Sequence, residues 1–278
     1  ELRKKTFKVY AEYFDQKLVR NFLKKKLKFD LIFSANTITH INTISNVFKN
    51  INKILTDDGV FILEEPSFLE CFKKNAFDQF YNEHIYVLSA ISLTNILKTS
   101  DLKIFKIENI NVHGGSLRYY IVKEKNKFFK IHKSYKAQIQ NEKKFKLDKF
   151  SSCITFKKNV NDVKKKLCQI FHKIKKNNNR IIGYGASAKA VTVLNFCELK
   201  EEFVDYFLDT TKNKVGKLLP GTKIKVKKYS SKLIDQRNFY FLGAWNFKEE
   251  IINKEKIFLK NGGKFISHLP KPHIFGSK

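Results

Sequence analysis

Methionine is missing from all 278 residues, the first position included, and the chain opens on Glu1. On that ground it reads as a chain cut upstream, a piece of a longer protein. Arginine is nearly as scarce. Only Arg3, Arg20, Arg118, Arg180 and Arg237 are present, so 50 of the 55 basic residues are lysine. Recognition of phosphates and bases leans on the arginine fork, and no Arg-rich arm exists here. The net charge of +29, with its abundance of asparagine, isoleucine and phenylalanine, therefore reads as drift in an AT-rich coding genome and not as nucleic-acid binding. A lysine surface would still attract an anionic small substrate. The four cysteines (Cys71, Cys153, Cys168, Cys197) lie far apart without C-x-x-C spacing, which argues against a metal site and a disulfide scaffold and fits a reducing cytoplasm. No apolar run reaches about 18 residues, and no signal peptide is visible. Neither a membrane span nor secretion is expected.

What is present has the pattern of an α/β protein. "FDLIFSAN" (29–36) suits a buried parallel strand, and "TFKVYAEYF" upstream reads as a further strand. "TISNVFKNINKIL" sets Ile44, Val47, Phe48, Ile51, Ile54 and Leu55 at spacings of three and four, an amphipathic helix. "TDDGVFILEEP" turns at Asp58-Gly59 into the next strand. Strand, helix and strand within about thirty residues make a crossover unit. Residues 104–110 and 117–123 read as an antiparallel edge flanking "VHGGS". Residues 129–178 are lysine-rich with a helical apolar stripe (Phe156, Val160, Val163, Leu167, Ile170, Phe171, Ile174), a bridge with a solvated face. A second α/β unit starts at Arg180: "RIIGYGASAKAVTVLNFC" is strand, glycine turn and helix, and "EEFVDYFLD", "NFYFLGAWN" and "GGKFISHLP" supply strands. The expected division is 1–128, 129–178 and 179–278.

Several groups carry chemistry by residue type. Gly183, Gly185 and Ala188 fit G-x-G-x-x-A between strand and helix, with Asp209 ending the next strand. This is a dinucleotide fingerprint or, with equal weight, a tight turn without a ligand. Lys189 is a phosphate contact or one of many surface lysines. His113-Gly114-Gly115-Ser116 with Arg118 offers amides and a guanidinium to a phosphate or sugar, although Gly-Gly suits a plain hairpin turn better. His40 follows a strand's carboxyl end, where open α/β sheets place ligands, yet a lone histidine there is more often structural. In "FDQFYNEHIYVLS", Tyr81 and His84 are three apart and would share a helical face. A phenol beside an imidazole suits removal of a proton next to a carbonyl and support of the enolate.

In order along the chain, "FDLIFSANTITHI…LTDDGVFILEEP", "FDQFYNEHIYVLS", "VHGGSLRYY", "IIGYGASAKAVTVLN" and "LDTTKNKVGKLLPGTKI" resemble the sugar C-methyltransferases. Members use S-adenosylmethionine to methylate a carbon of nucleotide-linked 4-keto-deoxysugars. The likeness runs from about residue 29 to residue 270. It implies a partial Rossmann-like methyltransferase domain followed by a second, smaller Rossmann-like α/β domain. By that comparison the family's N-terminal zinc-binding region is absent, as are its first strand, glycine-rich loop and ribose-binding acid; zinc would belong only to that missing region.

The resemblance implies roles residue by residue. The family's Tyr-His-Glu-His motif stands here as Tyr81-Asn82-Glu83-His84, with Asn at the second position. His84 becomes the general base and Tyr81 the alternative base or enolate donor, with Glu83 and His40 in support. Ser34, Ala35, Asn36 and Thr37 pass beside the cofactor. His113, Gly114, Gly115, Ser116, Arg118, Gly183, Gly185 and Lys189 would face the sugar nucleotide. The implied reaction transfers a methyl to the carbon next to the sugar ketone through a base-generated enolate. Three other readings stand beside it. One is a non-catalytic remnant with a sugar-nucleotide cleft; another is a nucleotide-dependent oxidoreductase using the Gly183-x-Gly185 turn; the third is an RNA-binding or RNA-modifying protein.

Overall fold

A computed structural model describes residues 7–276. The chain divides into two compact units, each assembled from separate stretches. The first holds the chain up to Ser67, Leu88–Ile110 and Ser116–Lys144; the second holds Phe68–Val87, Asn111–Gly115 and everything from Phe145 onward. The segment 129–178 is shared between them. Among the described residues no helix is long and apolar enough to cross a membrane.

In the first unit α1 (Gln16–Lys24) is capped by Asp15, whose side chain accepts from the Leu18 amide at 3.0 Å, and buries Leu18, Val19 and Phe22. The strand expected in "TFKVYAEYF" does not form over its described residues. Its alternation fails on burial, since Phe7 and Val9 are exposed, while Tyr10 packs edge-on against Phe22 at 5.0 Å. β1 (Phe29–Ala35) runs parallel to β2 (Leu55–Pro66) as expected. Its burial differs from the expectation: β1 is the outer strand, and Leu31 and Phe33 are exposed. Between them α2 (Ile44–Ile54) buries Ile44, Val47, Phe48, Ile51 and Ile54. Asp58-Gly59 is not a turn before the strand. It lies inside β2, where the register with β1 shifts, and a methyl on Gly59 would come 2.7 Å from Thr56 Oγ1.

At Phe68 the chain enters the second unit as α3 (Phe68–Lys74), returning with α4 (Ala90–Lys98). β3 (Leu102–Ile110) and β4 (Ser116–Lys123) form the expected antiparallel pair, with β4 between β2 and β3 in a sheet of order β1-β2-β4-β3. α5 (Lys133–Lys144) then closes the unit in an unforeseen way. The carboxylate of its fully buried Glu142 accepts the Ala90 and Ile91 amides at 2.8 and 2.9 Å, capping α4.

The second unit contains α6 (Phe150–Lys176), whose stripe buries Val160, Val163, Leu167, Phe171 and Ile174 as expected. It also contains β5 (Ile181–Tyr184), α7 (Ala188–Cys197), β6 (Tyr206–Asp209), β7 (Lys225–Lys228) and β8 (Phe239–Leu242). Two short helices, α8 (Lys248–Lys254) and α9 (Lys256–Lys260), precede β9 (Lys264–Ser267) and β10 (His273–Gly276). The strand order is β10-β9-β8-β5-β6-β7, with β9 through β7 parallel and β10 antiparallel at one edge. Chain order reverses between β5 and β8, the switch point of a doubly wound sheet. Period-two alternation divides the apolar residues between the faces: Ile181, Phe207, Phe241 and Ile266 on one, Ile182, Tyr184, Leu208, Tyr240 and Phe265 on the other. Both sides of the protein are therefore α/β.

Gly183 lies within β5, and a methyl there would sit 2.2 Å from the Phe207 ring. Gly183→Ala is expected to cost about 1–3 kcal/mol through overpacking, read as a lower urea midpoint for the second unit.

Candidate active site

The two units separate the expected site residues. Ser34, Ala35, Asn36, Thr37, His40, Ser116 and Arg118 belong to the first, whereas Tyr81, Glu83, His84, His113, Gly114, Gly115, Gly183, Gly185 and Lys189 belong to the second.

In the first unit, the parallel strand β1 ends at Ala35 and the chain turns through Asn36, which adopts a left-handed φ of 49°, a conformation asparagine tolerates. A residue that sequence reasoning missed organises this turn. Glu65, wholly buried at the end of β2, accepts the Thr37, Ile38 and Thr39 amides through Oε1 (3.2, 2.9 and 3.4 Å) and the Thr39 hydroxyl through Oε2 at 2.8 Å. Burial raises the Glu65 pKa, and those hydrogen bonds oppose it. Asn36 Oδ1 is buried with no hydrogen-bond partner, an acceptor left over at a strand's carboxyl end. His40 closes the following single turn and is exposed. Arg118, expected at a substrate, is committed within the sheet: its Nε donates to Glu64 and its Nη1 lies 3.8 Å from Glu108.

The second unit gathers the proton-handling groups. Tyr81 and His84 do meet, but through a turn and not a helix: the His84 amide donates to the Tyr81 carbonyl at 2.9 Å. That turn brings the Tyr81 hydroxyl within 2.7 Å of His84 Nε2. His84 Nδ1 lies 2.9 Å from the Gln79 carbonyl. A carbonyl only accepts, so Nδ1 carries the proton. In the neutral ring Nε2 is then an acceptor, and the phenol donates to it. Glu83 is exposed.

Gln79 also reaches the other motif. Its Nε2 donates to the His113 carbonyl at 2.8 Å, and Lys74 Nζ donates to the Gly114 carbonyl. The 111–115 loop joins two paired strands, as a hairpin should. Its glycines answer to packing. Gly114 has φ +88° and lies against Trp245, where a methyl would approach the ring to 2.2 Å; one on Gly115, at φ +118°, would meet Glu70 Cγ at 2.8 Å. Gly114→Ala is expected to lower the melting temperature by several degrees, about 1–3 kcal/mol, and to displace the His113 carbonyl from Gln79. A differential scan with the histidine NMR spectrum checks both. Burial and then Lys189 push the His113 pKa down.

Lys189 is not a surface lysine. It is 93% buried, being 7% exposed, and its ammonium lies 4.9 Å from the centre of the Trp245 ring with no hydrogen-bond partner. Burial pushes its pKa down, while Asp78 and Cys71 pull it back. The glycine turn before it is closed by its own acid. Asp209 accepts the Ala186 amide through Oδ2 and the Thr211 amide through Oδ1, both at 2.7 Å. The carboxylate thus occupies a donor that a pyrophosphate would use. Gly185, at φ +84°, leaves no room for a methyl against Ala244. A cavity of ≈ 360 Å³ lies at the carboxyl ends of these strands, lined by Tyr184, Gly185, Asp209, Thr211 and Lys214 among others. A wider groove of ≈ 900 Å³, from Glu12 to Asn50 in the first unit, holds none of the expected site residues. Among the described residues no cluster of three or more His, Cys, Asp or Glu is arranged to hold a metal.

Residues 111–270 match the family model described as the C-methyltransferase C-terminal domain, and residues 3–107 match a methyltransferase domain. The chain is 27% identical over 248 residues to the C-methyltransferase NovU of Streptomyces niveus, covering 89% of this chain and 59% of that protein. It therefore spans 59% of the length of that curated relative. A solved structure, the M1.HpyAVI–SAM complex, superposes with a TM-score of 0.31 at 10% identity, over 43% of this chain and 55% of that one. So loose a match carries no argument.

Proposed function

As the chain belongs to the C-methyltransferase C-terminal domain family, we propose that it works in S-adenosylmethionine-dependent methylation of carbon. The substrate we infer is a nucleotide-linked keto-deoxysugar, methylated next to its ketone. One observation carries this reading: the Tyr81 hydroxyl on His84 Nε2, with Nδ1 held by the Gln79 carbonyl.

The pair handles protons in a defined order. As the substrate carbon gives up its proton to the Tyr81 oxygen, the phenol proton passes to Nε2. The imidazolium so formed keeps its Nδ1–H on Gln79. A base so placed contributes about 10²–10⁴-fold. Ser34, Ala35, Asn36 and Thr37 would hold the cofactor, and the leftover acceptor of Asn36 Oδ1 fits a group that donates. The cofactor, when bound, supplies an activated methyl. Lys189, with the His113–Gly115 loop, offers positive charge and backbone groups to an anionic sugar nucleotide. The oxidoreductase reading is weaker, because Asp209 already occupies the turn amide.

The test is proton exchange. With a thymidine-linked 4-keto-deoxysugar in D2O and no cofactor, the hydrogen beside the ketone is expected to wash out, and His84→Asn is expected to stop it. Saturable sugar-nucleotide binding without any exchange would remove the base chemistry. Calorimetric titration with S-adenosylhomocysteine reports separately on the cofactor residues.

A further inference from the structure

Beside the Lys189 already assigned, the second unit buries a polar cluster centred on Asp78 that the proposed proton transfer does not touch. Asp78 is wholly buried. Its Oδ2 accepts the indole N–H of Trp245, and His268 Nε2, itself 1% exposed, lies 3.4 Å from the same oxygen. Oδ1 is buried without a hydrogen-bond partner. The Lys189 ammonium stacks on the far partner, Trp245. Phe77, next in the chain, packs on Phe196 of α7 at 5.0 Å and on the His268 ring at 6.0 Å. All these groups lie in one unit.

Burying a carboxylate costs several kcal/mol unless partners repay it, and an apolar side chain would fill the space more cheaply. What Asp78 holds explains its presence. It sits in the single turn Phe77–Gln79, and the next residue supplies both the carbonyl that accepts from His84 Nδ1 and the amide that holds the His113 loop. Phe77 packed on Phe196 and the Asp78 carboxylate held by the Trp245 N–H anchor this turn, and the Phe80 amide that closes it on the Phe77 carbonyl at 3.0 Å belongs to the same peptide as the Gln79 carbonyl. The partners come from about 110 to 190 positions further along the chain, so local sequence does not determine that anchoring.

We infer that Asp78 is a positioning residue: held by the Trp245 N–H with the His268 ring packed beside it, it anchors the turn that presents the Gln79 carbonyl and so sets the tautomer of the His84 imidazole. This rests on the role proposed for His84, but its test does not need turnover.

The experiment uses ¹⁵N-histidine NMR on the whole chain with Trp245→Phe, which removes the N–H and keeps a ring for Lys189. The native His84 signal is expected to show protonation at Nδ1 and an acceptor Nε2; in the variant it is expected to average between tautomers, recorded well below a melting temperature that losing the Asp78 hydrogen bond lowers by several degrees. Asp78→Asn leaves Lys189 without a counter-charge, so it is paired with Lys189→Gln to keep the cluster neutral. In deuterium exchange both variants are expected to fall about 10²-fold in kcat, the effect of roughly 1 Å of misplacement, with KM for the sugar nucleotide unchanged in Trp245→Phe. A His84 signal that stays native in both folded variants overturns the proposal. A native protein that shows the tautomer signature but exchanges no deuterium would refute the catalytic reading and leave the positioning one standing.

Discussion

His84→Asn and Tyr81→Phe are each expected to slow methyl transfer by about 10²–10⁴-fold while the sugar nucleotide binds as before. The equality is what matters. If His84 alone took the carbon proton, removing the phenol would spare most of the rate. In the observed geometry Nε2 lies 2.7 Å from the Tyr81 hydroxyl, so the proposed mechanism has the imidazole act through the phenol. The double variant is then expected to be no slower than either single one, because groups that act as a unit are not additive. Steady-state rates for the three variants decide between a lone base and a pair. An additive double variant would break the pair.

The second large effect lies in the first unit. Glu65→Ala removes the acceptor of three amides and a hydroxyl and leaves them buried or half-buried without partners. Each such loss costs about 1–3 kcal/mol, and about 3–5 kcal/mol in total is expected once the loop relaxes. Glu65→Gln keeps a carbonyl for the amides and is expected to cost less than about 1.5 kcal/mol.

The two Glu65 variants also differ in pH dependence. The folded pKa of Glu65 lies above the ordinary 4.5 because of burial. Between those two values the unfolded chain has lost the proton and the folded chain retains it. Stability contributed by Glu65 is thus greatest below 4.5 and declines as pH rises through the folded value. Other carboxylates oppose this trend; Asp57, on Lys123 and Lys125, is lowered to about 2. The quantity to read is therefore the difference between native and Glu65→Gln urea midpoints across pH 4 to 8, expected to narrow with rising pH.

Much of this was legible in the residues. The stripes of α2 and α6 and the apolar runs of β1, β5, β6, β8 and β9 carry their own period. β7 and β10 escaped notice because a run such as "KVKK" buries only Val226, and pairing in the sheet, not composition, makes it a strand. α1 follows directly on the expected strand, and its nine residues bury only Leu18, Val19 and Phe22, too few apolar positions to announce a helix. At the site, the closeness of Tyr81 and His84 was readable from their spacing, although a turn and not a helix produces it. Asp78, Trp245, His268 and Glu65 were not readable. Each matters through a partner from 26 to 190 positions away, and no short motif records such a pairing. The buried state of Lys189 was equally hidden, since fifty lysines look alike in sequence.

The chain passes back and forth between its units, so that 68–87 and 111–115 fold with residues far downstream. This bears on how such proteins can be recombined. A chimera joined near residue 108, between the two matched family regions, looks like a clean exchange of modules. It would instead take Asp78 and the Tyr81–His84 turn from one parent and the Asp78 partners Trp245 and His268 from the other. Specificity grafted by swapping the C-terminal portion would then arrive with Asp78 and its partners drawn from different parents, unless Phe68–Val87 travels with it.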